Sequence, residues 1–165
     1  MRKLGVFAIV LSLCFLILGI WFWFTYSMRS AQSFTVGSQP QAQSILIALQ
    51  GSVYKNAIAE IIVEHFSNHD IYLQGMDVKH LDKINPKNWS VICILNTWEI
   101  GQSPTVVTHF IDNHPTMTNH VVLTTSFDGK SQLKNLDGFT SESVLIDTER
   151  DSEQLISEIE RILFP

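Results

Sequence analysis

Three short stretches hold the residues that could bind a ligand. Gly51, Ser52, Lys55 and Asn56 fall in the run Gly51-Ser52-Val53-Tyr54-Lys55-Asn56-Ala57, between an apolar stretch and a helical period. Thr97, Trp98 and Gly101 fall in Asn96-Thr97-Trp98-Glu99-Ile100-Gly101-Gln102-Ser103-Pro104, behind a second apolar stretch. Thr125, Ser126 and Asp128 fall in Thr124-Thr125-Ser126-Phe127-Asp128-Gly129, behind a third. Small, hydroxyl and amide residues at a strand-to-helix turn suit an anion at a helix N-terminus. The same residues also close a turn and cap a helix with no ligand at all. Trp98 offers a flat apolar ring for stacking on a ligand, or for packing on its own domain or a partner. No separate acid, base or nucleophile stands among these residues. Any chemistry here would therefore belong to a bound cofactor.

Other chemistries lack their residues. Gly51 is not followed by the G-K-[ST] end of a Walker loop, and neither a G-x-S-x-G elbow nor a Cys-x-x-Cys pair occurs. His65 and His69 have a spacing that suits zinc on a helix, but no third ligand stands at motif spacing, so no metal site is expected. The central apolar run ends in Asn96, which offers no carboxylate for phosphotransfer. Cys14 and Cys93 cannot build a disulfide framework. From Ser44 onward eight Lys/Arg face sixteen Asp/Glu, a net charge of −8. That balance argues against nucleic acid and against close adhesion to an anionic membrane face.

The elements that must position these loops can be read from hydropathy. Ile45–Leu49, Ile71–Leu73, Val91–Leu95, His120–Thr124 and Val144–Ile146 are short apolar runs, as expected of strands buried on both faces. Helical periods cover Asn56–Phe66, Thr105–Asn113 and a final stretch capped by Asp151 or Ser152. Residues 76–90 have room for one or two helical turns around Leu81 and Ile84. Strands alternating with helices predict an α/β domain over 44–165, a doubly wound parallel five-stranded sheet of order 2-1-3-4-5. Ligands of such sheets bind beyond the carboxyl ends of the strands, where the strand order reverses. All three stretches belong to that crevice.

In that position the loops resemble those of the flavodoxin family. Gly51, Ser52 and Asn56 match its phosphate loop G-S-x-T-G-N-T, with Tyr54, Lys55 and Ala57 replacing a hydroxyl residue, the glycine and the last threonine. Thr97, Trp98, Gly101 and Pro104 match its P-T-W/Y-x-x-G-x-x-P segment. Thr124–Gly129 is similar to T-T-S-G-D-G, with Phe127 in place of a glycine. Leu136–Ser143 looks like the D-A-I-T-S-A-S segment of small membrane-anchored flavodoxin-like proteins. The resemblance implies an FMN-binding, electron-transferring domain, or an FMN-dependent oxidoreductase. Its cofactor-binding residues would be Gly51, Ser52, Lys55, Asn56, Thr97, Trp98, Gly101, Thr125, Ser126 and Asp128. It implies that Trp98 stacks on the flavin and that acidic Glu99 and Asp128 lower the flavin potential. The alternative is a non-catalytic flavodoxin-like module acting in protein interaction or assembly at the membrane. The altered phosphate loop and the thin helices at 76–90 and 127–142 favour it. Some other small anion or nucleotide in the same crevice is a third reading.

The membrane enters through the N-terminus. Leu4–Tyr26 carries no charge, and its twenty-three residues would span about 34 Å as a helix, against roughly 30 Å of bilayer core. Arg2 and Lys3 precede it, and Trp21, Trp23 and Tyr26 mark its far end. A transmembrane signal anchor over 1–26 is expected. A cleaved signal peptide fits less well, because Arg29 stands where a small residue is wanted, and Leu13 is too large for a lipoprotein site before Cys14. The positive-inside rule places the N-terminus in the cytoplasm and the domain outside, single-pass, with a membrane-associated redox partner implied if flavin is carried. Residues 27–43, rich in Ser, Gln, Gly and Pro, are expected to form a flexible linker.

Overall fold

Continuous apolar runs become the strands of one twisted sheet. The computed structural model describes residues 2–26, 30–38, 43–98, 102–126, 129 and 138–165, with side chains of the first helix described from Ile9 to Trp21. The strands are β1 (Phe34–Val36), β2 (Gln43–Leu49), β3 (Ile71–Asp77), β4 (Val91–Thr97), β5 (His120–Thr125) and β6 (Gly138–Ser141). Their order is β1-β3-β2-β4-β5-β6. Among the described strands only β1 runs antiparallel to its neighbour. The sheet is six-stranded rather than the five-stranded one expected, because β1 adds an antiparallel edge; without it the order is the doubly wound 2-1-3-4-5, and the fold is flavodoxin-like.

The helices are α1 (Arg2–Tyr26), α2 (Val53–Phe66), α3 (Thr105–Asp112) and α4 (Thr148–Leu163). Strand residues alternate between two cores. Ile45, Ile47, Leu49, Cys93, Leu95, Val121 and Leu123 pack under α2 and α4. Leu46, Ala48, Ile92, Ile94 and Val122 pack under α3 and the 3₁₀ turns at Val78–Lys83 and Pro86–Asn88. Each such Leu or Ile stabilises the fold by roughly 1.5–3 kcal/mol relative to an exposed position. The two short turns agree with the limited helical room expected at 76–90.

Four expectations are corrected. The linker expected to be flexible over 27–43 contains β1, where the Phe34 ring lies against Gly75, so close that a Cβ there would meet it at 2.0 Å. Ala31 N–H also donates to Asp77 Oδ2 at 2.7 Å. The last strand is Gly138–Ser141 rather than Val144–Ile146, which enters a 3₁₀ turn with Ile146 87% exposed. Gly138 is what lets this strand approach β5: a Cβ would lie 2.8 Å from Val122 O. The second helix begins at Val53, because Ser52 Oγ accepts from Lys55 N–H at 3.1 Å and caps it. The last helix begins at Thr148 with no side-chain cap, and Asp151 is buried in its first turn.

The first helix runs twenty-five residues. Its large apolar side chains from Ile9 to Trp21 are all exposed, Leu11 the least at 48%. These thirteen residues span about 20 Å. Among the described residues, no helix is long and apolar enough to cross a membrane.

Candidate ligand crevice

Strand order reverses between β2 and β4, so the crevice opens beyond Leu49 and Thr97. Gln50 closes its floor. Its N–H donates to Leu95 O at 3.0 Å, and its Oε1 accepts from Thr97 N–H. One residue on, Gly51 is buried.

Apart from Asn56, the polar side chains of the first loop are turned inward or engaged. Ser52 Oγ and Ser52 O accept from the backbone N–H groups of Lys55 and Asn56. The Tyr54 hydroxyl, buried, donates to Asp151 Oδ2 and lies 3.3 Å from Ser141 Oγ. Ser141 Oγ in turn donates to Asp151 Oδ2 at 2.5 Å, and Arg150 Nε and Nη2 donate to Asp151 Oδ1 at 3.0 and 2.9 Å. Burial first, then the hydrogen bond to Asp151, push the Tyr54 phenol well above its ordinary value. Asn56 points to solvent.

Lys55 does the opposite of a solvated helix-start lysine. It is 0% exposed, and its Nζ donates to Thr97 Oγ1 at 2.5 Å, across the crevice at the end of β4. Thr97 Oγ1 lies 2.7 Å from Thr125 Oγ1, which reaches Asn96 O at 3.3 Å. Lys55, Thr97 and Thr125 therefore form one polar chain, buried at Lys55 and Thr125, over the carboxyl ends of β4 and β5. A buried ammonium is costly unless its donors are met, so this chain is part of the packing rather than decoration.

The other loops place Trp98 and Ser126 beside that chain. Trp98 N–H donates to Thr125 O at 2.8 Å, and Ser126 N–H donates to Ser141 O at 3.2 Å. Ser126 is buried and Trp98 half-buried. Gly101 and Asp128, with Glu99 and Phe127, lie outside the described residues. Sequence reasoning missed Tyr54, Ser141 and Asp151 as a cluster. Among the buried atoms without a hydrogen-bond partner among the described residues, it also missed Asn96 Oδ1, Trp98 Nε1 and Ser103 Oγ. A polar residue ending an apolar strand, as Asn96 does, was the one available signal.

Apart from Asn56, the polar side chains of the first loop are engaged within the protein rather than presented to a phosphate. Ser52 is a helix cap, Tyr54 faces Asp151, Ala57 has no hydroxyl, and the buried Lys55 donates to Thr97. The N–H groups of Thr97, Trp98 and Ser126 are all bound within the protein.

No family model matches the chain, and no curated protein matches it. Solved structures are similar to it at low scores. A flavodoxin from the domain Archaea is 13% identical with a TM-score of 0.48, covering 73% of this chain and 99% of its own. Oxidised flavodoxin 2 from Bacillus cereus is 17% identical with a TM-score of 0.45, covering 72% and 99%. The Flv1 flavodiiron core from Synechocystis sp. PCC6803 is 11% identical with a TM-score of 0.48, covering 76% and 37%. At such scores these likenesses carry no functional weight, and the flavodoxin-like fold of this chain rests on its strand order.

Proposed function

We propose that the chain is a membrane-tethered flavodoxin-like module that works through contact with a membrane partner, with its ligand crevice closed by its own Lys55. The observation that carries the reading is the fully buried Lys55 ammonium on Thr97, in the crevice where this fold takes its ligands. The tether is supported by the uncharged run Leu4–Tyr26, by Arg2 and Lys3 ahead of it, and by the helical state of Arg2–Tyr26. The charge asymmetry favours an N-terminus in the cytoplasm and a domain outside. Added protease on intact cells checks this: protection of the domain overturns the orientation.

A second reading, an FMN-binding electron-transfer domain, is favoured by one observation. Trp98 stands with Thr97, Thr125 and Ser126 at the carboxyl ends of β4 and β5. One experiment separates the two. The purified full chain in detergent is titrated with FMN while the visible spectrum and flavin fluorescence are recorded. The module reading expects a colourless protein and unquenched fluorescence at high micromolar concentration. A yellow protein, or quenching that Trp98→Ala abolishes, overturns it in favour of flavin.

A further inference from the structure

The end of the sheet nearest to the first helix along the chain is set by β1. Because β1 runs antiparallel to β3, with Phe34 opposite Gly75 and Val36 opposite Leu73, the residues before β1 lie at the carboxyl end of β3. They are clipped there. Ala31 N–H donates to Asp77 Oδ2 at 2.7 Å, and Lys79 Nζ donates to Ser30 Oγ at 2.8 Å. Only three residues, 27–29, separate Ser30 from Tyr26, the last residue of α1. Covalent geometry limits that connection to about 15 Å. The amino end of β3 lies a further ~20 Å away along the strand.

We propose that β1 is a strap that holds the carboxyl ends of the strands, and with them the Lys55–Thr97–Thr125 crevice, toward the bilayer. This rests on the tether reading above. Whatever touches the crevice then approaches through the narrow gap between domain and membrane, and the amino ends of the strands point away from it. Released from the sheet, the connection would lengthen from three residues to as many as sixteen, 27–42, and the orientation would be lost.

The test uses the full chain with Cys14→Ser, in phosphatidylcholine vesicles carrying a headgroup acceptor dye. Single donor labels go on exposed sites at the two ends: Val53→Cys or Gln102→Cys at the carboxyl end, Asp70→Cys or Lys87→Cys at the amino end. Buried Cys93 stays unlabelled. Over a strand length of ~20 Å the carboxyl-end labels should show about two-fold or more energy transfer than the amino-end labels. Equal or reversed transfer in a vesicle-bound chain overturns the orientation and leaves the tether standing. A chain that does not float with the vesicles overturns the tether, and the orientation with it. Phe34→Ser changes only the three-residue edge strand and should collapse the two-fold difference. Its persistence would remove the strap from the explanation.

Discussion

Two halves of the crevice differ in how they spend their polar groups. At the β2–α2 turn the polar side chains other than Asn56 are engaged by the protein: Ser52 caps, Tyr54 meets Asp151, Lys55 meets Thr97. At the β4 and β5 ends, Thr97 and Thr125 are engaged, yet Trp98 Nε1 and Asn96 Oδ1 stay unmatched among the described residues. As sequence, both halves resemble a flavin site, the Thr97–Pro104 stretch more specifically than the altered first loop. The structure separates them, because a resemblance of residue types does not say which way a side chain turns. The first half has become core, and the second still has groups to offer.

The largest expected effect breaks the first half open. Lys55→Gly restores the glycine of the flavodoxin pattern and removes a fully buried side chain. Cavity creation and an added helical glycine should cost about 3–4 kcal/mol in urea unfolding of the full chain in detergent. If Lys55 alone closes the crevice, millimolar FMN should raise the melting temperature of this variant and leave the wild type unmoved. A wild type stabilised as much as the variant would show that Lys55 closes nothing.

Asp151→Ala comes next. It strips the acceptor from Tyr54, Ser141 and Arg150 at once, and two of those donors are buried. Unmet buried donors and the small cavity together should cost about 3 kcal/mol. A loss below about 1 kcal/mol would mean that the cluster does not hold α4 and β6 to the start of α2.

How much of this was legible depends on distance along the chain. The central strands were readable because Ile45–Leu49 and Val91–Leu95 are apolar at every position, a local property that only a two-sided burial explains. The strap was not, since the pairing of Phe34 depends on Gly75, forty-one residues away. Val144–Ile146 looked like a strand on composition, but β6 formed where Gly138 could approach Val122. Tertiary fit there outweighed β propensity. Lysine at the start of a helix usually points to water, so nothing local marked Lys55 as buried. Tyr54 and Asp151 are ninety-seven residues apart, and their pairing could be seen only once α2 and α4 lay on the same face.

Tyr54→Phe sharpens the comparison through pH. The folded phenol titrates above its unfolded value, so the folded state holds its proton where the unfolded state releases it. The stability this contributes is fully present below about pH 10 and is lost as pH rises beyond it. Wild-type unfolding free energy should therefore fall above about pH 10, whereas Tyr54→Phe, about 1–2 kcal/mol less stable at neutral pH, should fall less steeply. Identical slopes would place the alkaline loss elsewhere. Alkylation gives a companion measurement. Burial pushes the Cys93 thiol up to about 12, so it should resist iodoacetamide at pH 8 until the domain unfolds.

The smallest effect probes the second half. Trp98 Nε1 is a buried donor without a partner among the described residues. Leaving such a group unmet already costs the folded state about 1–3 kcal/mol. Trp98→Phe removes that donor and keeps an apolar ring, trading lost packing area against a relieved desolvation penalty. The two terms are of similar size, so the variant should lie within about 1 kcal/mol of wild type in either direction. Asn96→Leu tests the same idea on the acceptor, though it also frees Thr124 Oγ1 from its 3.2 Å bond. If Trp98→Phe instead costs several kcal/mol with no ligand present, the indole is matched inside the protein. The second half would then be as fully engaged as the first.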